Sequence, residues 1–412
     1  MIRQLGPPTF FLTLSAAEKN WPELLKYLKE NQTKKHCSLK VALGMSDSEK
    51  SELIKNDPVA YARYFHHKVT KLMNFLKKEN SLLEEYQVVD SFEKVEFQSR
   101  GSSHEHIFLW TKKPPPIHVS NTPNTYLIAF IDSFVTCKND MTIPFIRYLK
   151  HRHTHSCYRK KRKSKKCRFN FPLLVMPSTV ILEPLPKEEC DRSTHLNIKN
   201  IRDLHNEFFE SEQFVSFKDI LTKLNITEEE YILAIRSALK RPQIFLKRKS
   251  TEVAINSYNP LILALFESNI DLQIIYDEYG VANYVVNYMC KMEAGMSAML
   301  REVAFDIQNR NFSVRDKLRK FANVYINGTL MSAQEAAYHC LSLPLSRSSR
   351  AFVYRNTNLP DDRVKMLKSK NDLKKLSPDS NEIFLNDIFD KYSNRSRKLR
   401  EICLAEFAAS YH

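Results

Sequence analysis

Hydrophobic and polar positions change period several times along the chain. Pro8-Thr9-Phe10-Phe11-Leu12-Thr13-Leu14 is rich in β-branched and aromatic residues and predicts a strand. From Pro58 the spacing becomes helical. Tyr61, Tyr64, Phe65, Val69, Leu72 and Leu76 fall on one face, and Asp57-Pro58 supplies a capping side chain and a first-turn proline. A hairpin comes next, with Val88 to Ser99 as one strand, Arg100-Gly101-Ser102-Ser103 as the turn and His104 to Thr111 as the return strand. Lys113-Pro114-Pro115-Pro116 marks a boundary. Residues 117 to about 250 read as an insertion, holding a helix signalled by the capping box Thr227-x-x-Glu230 with Ile232, Ile235 and Leu239 behind it. After Asn259-Pro260, Asp271 to Tyr276 reads as a short strand, and a helix is expected from about Val281. Residues 301–412 read as mostly helical and polar, divided by Pro344, Pro360 and Pro378. No internal repeat is visible.

Composition narrows the function classes. The chain has 412 residues, 43% of them hydrophobic, enough for an ordinary core. Six glycines and no G-x-x-x-x-G-K-[ST] leave no phosphate loop, so no ATPase activity is expected. Net charge is +16 and the pI about 9.3. Such an excess points to a polyanionic partner, nucleic acid being the simplest, because Lys and Arg displace counterions condensed on phosphates; a basic protein without such a partner is the plainer alternative. Eight scattered cysteines mixed with histidines do not form a secreted disulfide framework. The apolar stretch Phe10 to Ala17 is too short to span a bilayer, so a soluble, reduced, intracellular protein with no membrane partner is expected.

His104-Glu105-His106 lies on the return strand of the hairpin. Alternation points both imidazoles to one face, where they can meet one metal ion. Glu96 and Gln98 share a face of the preceding strand, and either can add an oxygen ligand. Two imidazoles with one such oxygen and open positions suit Mg²⁺ or Mn²⁺ acting on phosphate oxygens. Tyr284 and Tyr288 stand at i and i+4 on the expected helix. A tyrosine can attack a phosphodiester and hold the DNA end covalently, and Lys291, about one turn on, can stabilise phosphate charge or assist phenol ionisation. With 13 histidines and 18 tyrosines, either pair alone arises by chance about once or less in such a chain. The plainer readings are exposed strand histidines and tyrosines packed on a core.

A third cluster comprises Cys137, His151, His153, His155, Cys157 and Cys167. Cys137, His153, Cys157 and Cys167 make one four-ligand set for Zn²⁺. The spacing fits no standard finger, and a basic DNA-contacting loop is the equal alternative. Arg159, Lys160, Lys161, Arg162, Lys163, Lys165, Lys166 and Arg168 are candidate DNA contacts. The same run can act as a nuclear import signal, or be simply a solvated charge run.

Taken in order, several segments resemble Helitron rolling-circle transposases. They are Arg3-Gln4-Leu5-Gly6-Pro7-Pro8-Thr9-Phe10-Phe11, Asp57-Pro58, Glu96-Phe97-Gln98-Ser99-Arg100-Gly101 running into His104-x-His106, Cys167-Arg168-Phe169-x-Phe171-Pro172, and Tyr258-Asn259-Pro260. Tyr284-x-x-x-Tyr288 with Lys291 follows, then Gly295-Met296-Ser297, Ser332-Ala333-Gln334-Glu335-Ala336, Leu343-Pro344-Leu345-Ser346 and Leu404-Ala405-x-Phe407. The resemblance implies an α+β fold of the rolling-circle initiator (HUH) type, with a central antiparallel sheet and flanking helices. Residues 1–300 would form the endonuclease domain, with the basic, zinc-candidate insertion at 117–250, and residues 301–412 a helical extension. The implied activity is metal-dependent cleavage and transfer of single-stranded DNA at transposon ends, in the nucleus, through a 5′-phosphotyrosine on Tyr284 or Tyr288. In the family a helicase follows, so this chain is expected to be a truncated, domesticated or excised form, with any helicase supplied by another chain. A catalytically dead DNA-binding relic is the alternative. Glu105 departs from the family, where the residue between the histidines is usually apolar. Alternation should turn it away from the metal face, into partly desolvated surroundings that raise its pKa unless a Lys or Arg reaches it.

Overall fold

The computed structural model describes residues 1–79, 86–97, 101–113, 124–154, 157–161, 164–167, 169–189, 192–211, 213–276, 302–305, 313–328, 331–351, 365–377, 380 and 382–410. The chain divides into two compact units, Met1–Ser349 and Arg350–His412. Among the described residues, no helix is long and apolar enough to cross a membrane.

The first unit is α+β. Its strands are β1 (Phe10–Ser15), β2 (Val88–Phe97), β3 (Ser103–Thr111), β4 (Tyr158–Lys161), β5 (Ser164–Cys167), β6 (Val180–Leu182), β7 (Gln243–Phe245), β8 (Ile270–Ile274) and β9 (Ser346–Ser348). Five of them form an antiparallel sheet in the order β8-β1-β3-β2-β9. β3 is therefore central, and period-2 alternation gives the sheet two unlike faces. Phe10, Leu12 and Leu14 of β1, Ile107 and Leu109 of β3, and Ile270 and Leu272 of β8 are buried in the main core. The Pro58–Lys77 helix fills that face with Tyr61, Phe65, Val69, Leu72, Met73 and Leu76. Each such side chain contributes roughly 1.5–3 kcal/mol on burial. Asp57 caps the helix, its Oδ1 accepting from the Ala60 amide at 2.9 Å, as Asp57-Pro58 predicts. Tyr61 braces the start of β3: its hydroxyl donates to Ser103 Oγ at 2.9 Å and accepts from the Ser103 amide at 3.0 Å.

The opposite face is apolar at one end and polar at the other. Phe11, Phe108, Trp110 and Ile275 cluster with Met1, Leu5 and Phe92, and the Trp110 indole donates to the Gly6 carbonyl at 3.0 Å. Beyond them, register lines up Thr13 with His106 and Asp271, Ser15 with His104, and Glu96 with His104.

Several boundaries differ from those the sequence suggests. β2 ends at Phe97. The Asn124–Phe134 helix lies inside the span read as an insertion, yet it packs in the main core, with Phe134 stacked 4.6 Å from Phe10. The part of that span with a core of its own runs from Val175 to Val253, where the Arg192–Ser211 and Glu228–Ser237 helices close over Ile198, Ile201, Phe208, Tyr231 and Ile235. The capping box at Thr227 is present, Glu230 Oε2 accepting from the Thr227 amide at 2.8 Å and Thr227 Oγ1 from the Glu230 amide at 3.2 Å. β9 adds a fifth strand from a segment expected to be helical extension, so the first unit runs past residue 300 to Ser349. The basic run forms the paired strands β4 and β5, with Tyr158 opposite Cys167 and Lys161 opposite Ser164. In the second unit, Ile388, Phe407 and Ala408 form a small core between the Ile388–Ser393 and Leu404–Ser410 helices.

Candidate functional site

The polar end of the sheet face is built from four strands. His104 and His106 project from β3, as alternation predicts. Nδ1 of His104 lies 3.0 Å from Ser15 Oγ, and Nδ1 of His106 lies 3.2 Å from Thr13 Oγ1. Each imidazole is thus matched to the hydroxyl directly opposite it on β1, which fixes ring orientation and turns Nε2 outward from β1. His106 Nε2 is 3.1 Å from Glu96 Oε2, and Phe11 stacks on the His106 ring at 5.8 Å. Sequence reasoning missed Thr13 and Ser15, although their signal was present: two hydroxyl residues alternating with Leu12 and Leu14 on one strand.

Asp271 is a second residue the sequence left unassigned. It stands on β8 opposite Thr13, so it shares the face of His106. Burial raises its pKa, while hydrogen bonds from Gln273 (2.7 Å) and Ser257 (3.2 Å), then the charge of His106, oppose the rise. Of the first metal set, Glu96 meets His106, and His104 lies on the same face one position away. Gln98, Tyr284, Tyr288 and Lys291 lie outside the described residues.

Glu105 points the other way, as expected, and is 1% exposed. Burial pushes its pKa up to about 7, against the pull of the Arg347 guanidinium and with a smaller push from Glu93. Arg347 is the basic partner that the sequence did not identify. From β9 its Nη2 lies 2.6 Å from Glu93 Oε2 and 3.3 Å from Glu105 Oε1, while Nη1 donates to Thr70 Oγ1 at 2.8 Å. Lys77 approaches Glu93 at 3.5 Å. Directly behind the histidine face, the core therefore holds two carboxylates shared by one guanidinium.

A second constellation lies in the insertion. The ligand atoms of His151, His153, Cys157 and Cys167 all lie within 4.8 Å of one another, the one such group of three or more among the described residues. His153 Nδ1 is 3.4 Å from Cys157 Sγ, and His151 Nε2 is 3.5 Å from Cys167 Sγ. This corrects the four-ligand set read from the sequence. Cys137 is not a member: it is buried elsewhere, its thiol donates to the Lys247 carbonyl at 3.2 Å, and burial raises its pKa to about 11. His151 takes its place. Burial, then the neighbouring His153, holds the His151 pKa down at about 4, so the imidazole is neutral near pH 7. Of the basic run, Arg159, Lys160, Lys161, Lys165 and Lys166 sit on β4 and β5; Arg162, Lys163 and Arg168 lie outside the described residues, as does His155.

A five-stranded antiparallel sheet with paired strand histidines on one face, and buried charge with helices on the other, defines an α+β protein with a candidate metal-binding face. Residues 1–109 match the family model described as the Helitron helicase-like domain at N-terminus, which supports a Helitron-related protein. The matched span carries β1, the Pro58–Lys77 helix, β2 and both histidines of β3. Among curated proteins, none matches the chain.

Proposed function

We propose that this protein is the DNA-cutting part of a rolling-circle transposition system, a metal-dependent endonuclease and strand transferase acting on single-stranded DNA at transposon ends in the nucleus. The observation that carries the reading is the orientation of His104 and His106 by Ser15 and Thr13. A metal-binding imidazole commonly gives its other ring nitrogen to an oxygen partner, and here both rings have one on the same strand. Of these donors His106 and Glu96 are in contact, and the chemistry of the set, two imidazoles and a carboxylate, suits a divalent ion with open positions. The 3.1 Å between His106 Nε2 and Glu96 Oε2 matches adjacent ligands at about 2.1 Å in an octahedral site, which lie about 3 Å apart. Bound there, Mg²⁺ or Mn²⁺ would polarise the scissile phosphate. Ser15 and Thr13 hold the rings, Glu96 supplies a carboxylate oxygen, and Asp271 lies on the same face. Tyr284 or Tyr288 would attack phosphorus and leave a 5′-phosphotyrosine and a free 3′-hydroxyl, with Lys291 near the developing charge. The net charge of +16 supports binding to a polyanion.

The test incubates the full chain with labelled single-stranded DNA and Mg²⁺ or Mn²⁺. A denaturant-resistant protein–DNA adduct is expected, lost when Tyr284 and Tyr288 are both changed to Phe. His104→Ala or His106→Ala should abolish cutting and leave DNA binding largely intact, because phosphate affinity is spread over many cations. Binding with no adduct in the unaltered protein would instead identify a DNA-binding relic.

A further inference from the structure

Four side chains of the insertion, three from His151 to Cys157 and one from Cys167, converge as a closed set of two imidazoles and two thiols. Tetrahedral Zn²⁺ with Zn–S of about 2.3 Å and Zn–N of about 2.0–2.1 Å places neighbouring S and N ligands about 3.5 Å apart. The His153–Cys157 and His151–Cys167 separations are 3.4 and 3.5 Å. The Thr154 amide donates to Cys157 Sγ at 3.4 Å, and the amides of Phe169 and Phe171 donate to Cys167. Such N–H···S bonds are the outer partners that settle a metal-bound sulfur. Two thiolates and two neutral imidazoles cancel the charge of Zn²⁺, which lets both cysteines stay buried.

Position gives the cluster a purpose. Cys157 immediately precedes β4, and Cys167 ends β5, so the two thiols close the base of the basic hairpin. Its other ligands are anchored in the fold. His151 donates its amide to the Ala254 carbonyl at 2.8 Å and stacks 4.3 Å from Phe171. The His153 ring lies 4.4 Å from Phe209 on the Arg192–Ser211 helix. A hairpin of four-residue strands with consecutive like charges is marginal alone, since isolated hairpins are barely stable and facing cations repel. Phe169, just past β5, is 50% exposed and adds an aromatic surface of the kind on which unpaired bases stack.

We infer that His151, His153, Cys157 and Cys167 bind one structural Zn²⁺, which fastens the basic hairpin to the insertion and presents it to single-stranded nucleic acid. The inference is independent of the nuclease reading, since His104 and His106 take no part in it.

The test uses the full chain. Metal analysis of the purified protein should find one zinc per chain that survives His104→Ala. Replacement by Co²⁺ should give the visible absorption of a tetrahedral ion and the charge-transfer band of two thiolates. His151→Ala and Cys157→Ser should each weaken zinc at least tenfold, while Cys137→Ser leaves it in place. Stripping the zinc should weaken binding to a labelled single strand and lower its salt slope by about 0.7 for each phosphate that the hairpin no longer neutralises. No zinc, a cobalt spectrum without thiolate ligation, or zinc lost with Cys137→Ser but kept with His151→Ala would overturn the assignment. So would a zinc-free protein with unchanged DNA affinity and salt slope. The cobalt spectrum needs only the unaltered protein, so it decides the ligand set even if the variants fail to fold.

Discussion

Two of the chain's His-x-His pairs, on β3 and in the insertion, have different fates. His104 and His106 sit on a central strand, where alternation throws both rings to one side and β1 hydroxyls hold them. His151 and His153 sit on a non-repetitive segment, where nothing in the backbone period aligns them. They converge because tertiary contacts bring Cys157 and Cys167 to them. Spacing is the same and chemistry is not. The strand pair meets oxygen donors, whereas the loop pair meets two sulfurs, a difference between the donors of hard ions and those of structural zinc.

Their supports differ as well, and the largest expected effect tests that. Behind the strand pair, Arg347 serves Glu93 and Glu105 together. Arg347→Met should destabilise the protein by about 3–5 kcal/mol, the range for breaking a buried ion pair from one side. Urea unfolding measures it, and a loss below about 1 kcal/mol would mean that the carboxylates find other partners.

Beside the loop pair, the Arg192–Ser211 helix buries a neutral imidazole instead of a charge. His205 is 0% exposed. Its Nε2 accepts from the Val175 amide at 2.8 Å, and its Nδ1 donates to the Ile201 carbonyl at 2.6 Å. Burial holds its pKa at about 4, against 6.5 for a free histidine. Between those values the unfolded chain takes up a proton that the folded chain refuses. Stability should therefore fall as pH drops from 6.5 towards 4, by about 3 kcal/mol in total, and this part should flatten below that. Melting curves across that range should show a shallower slope for His205→Leu; an unchanged slope would place the acid sensitivity elsewhere.

Thr13→Val with Ser15→Ala tests the orientation of the strand pair alone. Mn²⁺ affinity should fall about 10–100-fold, the usual cost of losing such outer partners, with zinc content unchanged. Unaltered affinity, measured by titration, would show that the hydroxyls do not position the rings.

The smallest effect belongs to Glu105. Arg347 lies closer to Glu93 (2.6 Å) than to Glu105 (3.3 Å) and also holds Thr70, so it keeps partners when Glu105 is removed. Glu105→Ile should raise stability by about 1 kcal/mol and leave metal affinity intact. Metal loss as severe as that of His104→Ala would put Glu105 on the metal face and refute the register.

Local rules made much of this legible in advance. Periods of 2 and 3.6 disclosed β1, the β2–β3 hairpin and the Pro58–Lys77 helix. Capping chemistry at Asp57 and Thr227 marked helix starts, and alternation alone set Glu105 on the face opposite the histidines. Each of these is settled within a few residues of chain, where backbone geometry and side-chain period act directly. What lay beyond them depended on residues far apart in sequence. Arg347 reaches Glu105 across 242 positions from a three-residue edge strand too short to carry a period. Asp271 joins the histidine face because β8 pairs with β1. His151 displaces Cys137 from the sulfur cluster because segment packing, not spacing, decides which ligand atoms meet. The sequence by itself determined β1, the β2–β3 hairpin with its two faces, the Pro58–Lys77 helix and the residue types able to hold metal; only the tertiary structure decided which distant partners complete each site, because pairing between remote segments leaves no period to read.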